Sequence, residues 1–162
     1  MSKSDRKDRG DAYNRALALL VRREHSAREL KSKLAQRGLD VDESAAALAK
    51  LQSKDFQSDA RFGEMLVRTR LEGGYGARWI VAELRTHGID ESRAHALIEE
   101  ARPDWPDLIR RQLRRRYGTK RSKDFVERNK RAAFLLRRGF DAAAVKLVID
   151  ESGMAESVDE VD

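Results

Sequence analysis

Three glycines set the frame of this chain. Gly38, Gly88 and Gly139 lie 50 and 51 residues apart, each after a helix-forming stretch and just before an apolar residue. The first stretch, SARELKSKLAQRGLD from Ser26 to Asp40, opens on S-x-x-E. That spacing predicts a capping box, in which Ser26 and Glu29 each satisfy a backbone N–H at the helix start. Leu30 and Leu34 then share one face, Gly38 ends the helix in a left-handed conformation, and Leu39 packs back onto the apolar side. The second copy sets Ile80, Leu84, Gly88 and Ile89 at the same offsets. The third sets Leu135, Gly139 and Phe140 there, with Arg131 where the others have Leu30 and Ile80. Coinciding offsets of this kind mark an internal repeat.

The flanks repeat as well. Tyr13, Leu17, Leu20 and Val21 predict a helix capped by Asp11, and Phe62 and Leu66 one capped by Ser58 or Asp59. Ile109, Leu113 and Tyr117 predict a helix that Pro106 opens. A short third helix follows each glycine, over 42–53, 90–101 and 141–152. The expected organisation is a basic N-terminal extension (1–11), three-helix repeats over 12–57, 58–103 and 104–153, and an acidic tail (154–162). One such unit has a marginal core, so stacking on neighbours is expected to stabilise it. The fold class is all-α, three tandem three-helix repeats in an elongated array.

Composition agrees. Hydrophobic residues make up 40% and charged ones 38%, too little apolar material for one large core, while 2 Pro and 10 Gly offer few helix breaks. With no cysteine there are no disulfides and no thiolate sites. No apolar run approaches the ~18 residues of a membrane span, and MSKSDRKDRGD lacks the apolar stretch of a secretory signal. An intracellular, soluble, cytoplasmic protein is expected.

Residues 105–140 hold 13 Lys/Arg against 3 Asp/Glu, whereas 141–162 hold 1 against 7. Of 34 basic residues 24 are Arg, whose planar fork suits phosphates and carboxylates. This block points to a polyanion or an acidic surface. Arg110 with Arg114, and Arg111 with Arg115, make two i,i+4 rows whose mutual repulsion an anionic partner would relieve. Lys120, Arg121 and Lys123 extend the patch through a loop, and Arg128, Lys130, Arg131, Arg137 and Arg138 carry it along the next helix.

No motif supplies chemistry. His25, His87 and His95 show no ligand spacing and read as surface or helix-end histidines. His25-Ser26 resembles half a triad, but Ser26 is already a cap. GGYG (Gly73 to Gly76) has no preceding strand and no Gly-Lys-Ser/Thr after it, so it reads as a flexible link and not a phosphate loop. Tyr75 and Trp79 suit packing, or stacking on a base. No catalytic residue, metal site or cofactor is expected.

The order and spacing of RREHSARELKSKLAQRGL (Arg22 to Leu39), DARF (Asp59 to Phe62), Arg70, GYG (Gly74 to Gly76), IVAELRTHGI (Ile80 to Ile89) and FLLRRGF (Phe134 to Phe140) resemble the RecX family. The match covers the chain apart from its ends, and departs where Ser58 and Gly63 flank DARF. The resemblance implies three-helix repeats curving into an extended shape. It also implies docking in the groove of the RecA–DNA filament, with inhibition of ATP hydrolysis and strand exchange, and so a part in homologous recombination, DNA repair and the SOS response. The basic patch would then contact filament and DNA, with secondary contacts from Arg22, Arg23, Arg28, Arg70, Tyr75, Arg78 and Trp79. Two other readings stay open: a helical protein that binds single- or double-stranded DNA through phosphates without RecA, and an adaptor for another acidic protein. Short connectors are compatible with a monomer or a module-swapped homodimer.

Overall fold

The computed structural model describes residues 3–154, and side chains over 11–153. These residues form helices only: α1 (Lys3–Arg22), α2 (Ala27–Gln36), α3 (Val41–Ser53), α4 (Asp59–Glu72), α5 (Ala77–Thr86), α6 (Glu91–Glu100), α7 (Trp105–Tyr117), α8 (Phe125–Arg137) and α9 (Ala142–Met154). The acidic tail from Ala155 lies outside the described residues.

The three glycines end α2, α5 and α8 in one way. Gly38, Gly88 and Gly139 have φ of 78°, 81° and 89°. The next residue donates back across the turn each time, Leu39 N–H to Leu34 O (3.2 Å), Ile89 to Leu84 (3.1 Å) and Phe140 to Leu135 (3.3 Å). These are Schellman bonds, which satisfy carbonyls that the helix leaves free. The apolar residue after each glycine is thereby turned inward, and Ile89 and Phe140 are buried.

The helix starts differ from expectation in two places. Ser26 does cap α2, accepting from Glu29 N–H at 3.0 Å. The reciprocal half of the box is replaced, because Arg23 engages the Glu29 carboxylate at 2.5 Å. Asp11 caps nothing: α1 runs straight through it, and its carboxylate accepts from Arg15 Nε one turn on. Between the two candidates for α4, Ser58 is the cap, its Oγ accepting from Arg61 N–H at 3.2 Å. Asp59 instead accepts from the Ala27 N–H at 2.9 Å, capping α2 from 32 residues away. Pro106 sits in the first turn of α7 behind the Asp104 cap, as its missing N–H permits.

The chain forms two compact units. Of the described residues, one takes those up to Leu66 together with Leu84–Asp90, the other Val67–Glu83 with those from Glu91 on. In the first, Ala16, Leu30, Leu34, Leu48 and Leu51 form the core of α1, α2 and α3. In the second, Ile109, Leu113, Phe134, Leu135, Phe140, Val145, Val148 and Ile149 form that of α7, α8 and α9. The corresponding positions of the second copy, among them Phe62, Ile80, Leu84 and Leu97, are also buried.

Each unit contains a joint between consecutive copies, and the two joints are built at equivalent residues. In the first unit Ser26 Oγ lies 2.8 Å from His87 Nδ1. The hydroxyl thus bonds twice, to the Glu29 N–H and to the histidine ring. Arg28 donates to Thr86 O at 3.3 Å and covers Gly88. In the second unit Gly76 stands where Ser26 stood, and its N–H donates to Arg138 O at 2.8 Å while Arg78 N–H donates to Gly139 O at 3.1 Å. The start of one copy's middle helix thus meets the glycine turn of the next. A Cβ on Gly76 would run into the Gly139 carbonyl, and one on Gly139 into the Trp79 backbone. Gly38, which ends the middle helix of the first copy, has nothing within 4 Å of where a Cβ would stand.

Candidate functional site

Helix α7 turns Ile109, Gln112 and Leu113 inward, which puts Arg110, Arg111, Arg114 and Arg115 on the exposed side. Each i,i+4 row is neutralised at one end from within the chain. Arg110 pairs with Glu151 at 2.9 Å and Arg111 with Asp107 at 2.7 Å. Arg114 and Arg115 make no ion pair among the described residues, and so are the members of this quartet open to an outside anion.

The two rows part company. Arg110 and Arg114 line a cleft of about 340 Å³ together with Lys120, Arg121 and Arg131, and with Thr119 and Ser152. Gly118 (φ 68°) turns the chain away from α7, its N–H donating to Arg114 O at 2.8 Å, and so brings the 119–121 loop back across the helix end. Arg111 and Arg115 are not among the cleft's lining residues, nor are Lys123, Arg128, Lys130, Arg137 and Arg138. Lys123, Arg128, Lys130 and Arg137 are exposed.

Two members of the predicted patch are not surface cations. Arg131 is buried, its side chain 10% exposed. Its Nη2 donates to Glu127 at 2.6 Å, its guanidinium lies 4.7 Å from the Tyr117 ring centre, and its Nε has no acceptor. Glu127 is held below the usual carboxylate range, first by the Lys123 backbone N–H and next by Arg131. Arg138 belongs to the second joint: it donates to Gly73 O at 3.1 Å and stacks 4.7 Å over Tyr75.

That contact also corrects the reading of GGYG. It does link α4 to α5, but it is not a free link. Gly74 and Gly76 are buried, and the Gly76 N–H is bonded to the α8 terminus. Tyr75 and Trp79 stack on each other at 4.8 Å, as packing anchors do, though Trp79 stays 44% exposed. Of the other secondary residues, Arg70 is held in a two-pronged bond to Glu83 (2.6 and 2.7 Å), and Arg23 and Arg28 are engaged as above. Arg22 and Arg78 are exposed.

The histidines are also placed differently. His25 sits at a helix end as expected but is buried, not on the surface, and desolvation lowers its pKa against the opposing pull of a bond to Arg23 O and of Glu29. His87 is half-buried, tilted 4.5 Å from Phe62, and bonded to Ser26. Ser26 is fully buried, so this Ser–His contact is a joint and has no open reacting face. His95 lies on an exposed face. Among the described residues no three His, Asp or Glu side chains group to hold a metal, and no helix is long and apolar enough to cross a membrane.

The comparison with known proteins follows the same three copies. Residues 12–51 match the first three-helix domain of RecX, 58–101 the second and 104–149 the third. The regulatory protein RecX of Stenotrophomonas maltophilia (strain R551-3) is 46% identical over 132 residues, 82% of this chain and 81% of that one. The chain belongs to the RecX family. Regulatory protein RecX of Xanthomonas oryzae pv. oryzae (strain MAFF 311018) is 43% identical over 132 residues, 82% of this chain and 82% of that one. The crystal structure of RecX from Lactobacillus salivarius superposes with a TM-score of 0.68 at 25% identity, covering 91% of this chain and 98% of that one. A second RecX crystal structure, at 22% identity and TM-score 0.73 over 88% of this chain and 72% of that one, agrees in fold. RecX is a family of regulatory proteins.

Three contributors escaped the sequence reading of this RecX-family chain. Arg116, in the same basic run, stacks 4.5 Å over Phe134. Thr119 and Ser152 line the cleft but carry no charge that would draw attention to them. The signal available was Gly118, placed where a helix ends and a basic loop begins.

Proposed function

We propose that this chain is a negative regulator of RecA recombinase that binds in the groove of the RecA–DNA filament and inhibits its ATPase and strand-exchange activities. The observation that carries the reading is RecX-family membership across three consecutive copies in a chain whose third copy exposes unpaired Arg114, Arg115, Lys120 and Arg121. Three repeats, taken as 12–57, 58–103 and 104–153, give the chain more than one copy with which to contact neighbouring protomers. The basic third copy suits a surface that carries DNA and acidic protein. Inhibition needs no catalytic group here. A ligand that bridges protomers and binds one filament state better than another holds the filament in that state, and hydrolysis that requires movement between states slows. The setting is the cytoplasm, in recombination and repair under the SOS response.

The test is DNA-stimulated ATP hydrolysis by RecA while this protein is titrated at two salt concentrations, beside a titration of the same single-stranded DNA alone. Inhibition well below the concentration that coats naked DNA supports the filament as target. Inhibition only where DNA itself is covered, with the steep salt dependence of phosphate contacts, would replace this reading with plain DNA binding.

A further inference from the structure

We propose that the cleft at the end of α7 is a binding site for one phosphate group, lined by the buried Arg131 together with Arg114, Lys120 and Arg121. Its ligand in function is a backbone phosphate of nucleic acid. The cleft stands on its own geometry, while the nucleic-acid source of the phosphate rests on the filament reading above.

Arg131 is the unexpected residue. The equivalent positions of the other two copies are Leu30 and Ile80, both fully buried, so the helix and its core do not need a charge there. A guanidinium placed at such a position is costly unless all its N–H groups find acceptors. Glu127 supplies one acceptor, and the Nε remains without any. The chain keeps this incompletely satisfied cation at the one place where it also borders a concavity.

The rest of the lining fits the same ligand. No carboxylate lines the cleft, and of its five cations only Arg110 and Arg131 have a carboxylate partner among the described residues. Thr119 adds a hydroxyl that can donate to a phosphate oxygen. Arginine forks recognise phosphate oxygens in pairs, and they are stronger for it when one partner is screened from water. Arg131 is screened by Tyr117, over whose ring it lies. A volume of about 340 Å³ admits a phosphate together with part of the chain that bears it.

The experiment follows the Arg131 Nε–H resonance of the full chain by ¹H–¹⁵N NMR, assigned by its loss in Arg131→Leu. The probes are inorganic phosphate, a short single-stranded oligonucleotide without terminal phosphates, and sodium chloride at matched ionic strength. Saturable shifts with phosphate and oligonucleotide but not chloride are expected. Phosphate affinity should fall about ten-fold or more in Arg131→Leu, with helical circular dichroism retained, and stay unchanged in Arg85→Ala, an exposed arginine on α5 outside the cleft and the basic block. A shift that merely tracks ionic strength, or unchanged phosphate binding in folded Arg131→Leu, overturns the site. If Arg131→Leu does not fold, Arg114→Ala with Arg121→Ala takes its place under the same criterion. A response to inorganic phosphate but none to the oligonucleotide overturns the nucleic-acid assignment. The titration contains no RecA, so its failure and failure of filament inhibition are separate results.

Discussion

Alanine at Gly76 separates two roles of glycine that are easily confused. This residue is not among those with a positive φ, so its backbone conformation is open to alanine. By unfolded-state entropy alone, Gly76→Ala would stabilise the protein by ~0.4–1 kcal/mol. The second joint reverses the sign. The new methyl would be driven into the Gly139 carbonyl, and backbone must move to admit it. Parting the strands of chain there loses the bonds from Gly76 N–H (2.8 Å) and Arg78 N–H (3.1 Å). Two bonds at about 0.5–1.5 kcal/mol each and a further 1–3 kcal/mol for overpacking, less the entropic gain of ~0.4–1 kcal/mol, leave a net cost of about 3 kcal/mol at mid-range. For a chain of this length that is a fall in Tm of roughly 5–15 °C. Thermal denaturation by circular dichroism gives the total, and native-state hydrogen exchange at Arg78 shows whether the loss is local. Gly38→Ala is the control: its φ of 78° costs alanine about 1–2 kcal/mol, but no neighbour resists the methyl. A neutral or stabilised Gly76→Ala protein, or unchanged protection at Arg78, would refute the joint.

Three further results are expected. Leu34→Ala and Leu84→Ala, both at fully buried positions, should each cost ~2–4 kcal/mol in chemical denaturation, and a cost near zero would undo the equivalence of the copies. Because burial lowers the His25 pKa, the unfolded chain takes up a proton before the folded one as pH drops. Stability should therefore decline from about pH 6.5 downward until His25 itself titrates, and His25→Gln should flatten that slope; equal slopes would show that other groups set it. Changing Arg110, Arg111, Arg114 and Arg115 together to alanine should weaken partner binding at unchanged helicity, with Arg114 and Arg115 responsible for most of the loss. Binding equal to that of the parent chain would reject the patch.

The repeat was readable because its signals are local. A left-handed glycine, an apolar residue after it and another four before it all act within one turn of helix, and Gly38, Gly88 and Gly139 end their helices through the same hydrogen bond. The exposed rows of α7 were readable for a similar reason, since the spacing of Ile109 and Leu113 decides which way the arginines face. What the sequence concealed depends on residues distant along the chain. Asp59 looked like a cap for its own helix and serves α2 instead. Ser26 is a cap by spacing, but its bond to His87 spans 61 residues. Arg131 looked like one more surface cation, although the repeat sets it where Leu30 and Ile80 stand, because the Tyr117 ring that it covers belongs to the preceding helix. GGYG looked flexible because the α8 terminus that holds Gly76 is more than 60 residues further on.

The two joints differ in how they can be inherited. The first is made of Ser26, Arg28 and His87 side chains, so single codon changes can loosen, tighten or replace it, and a change on one side can be answered on the other. The second is centred on main chain against main chain, with Gly76 and Gly139 kept bare for close approach and the Arg138 side chain added beside them. No compensating substitution exists for a side chain that must be absent. Divergence within this chain's lineage is therefore free to retune the first junction by paired replacements, while the second can only be kept whole or given up.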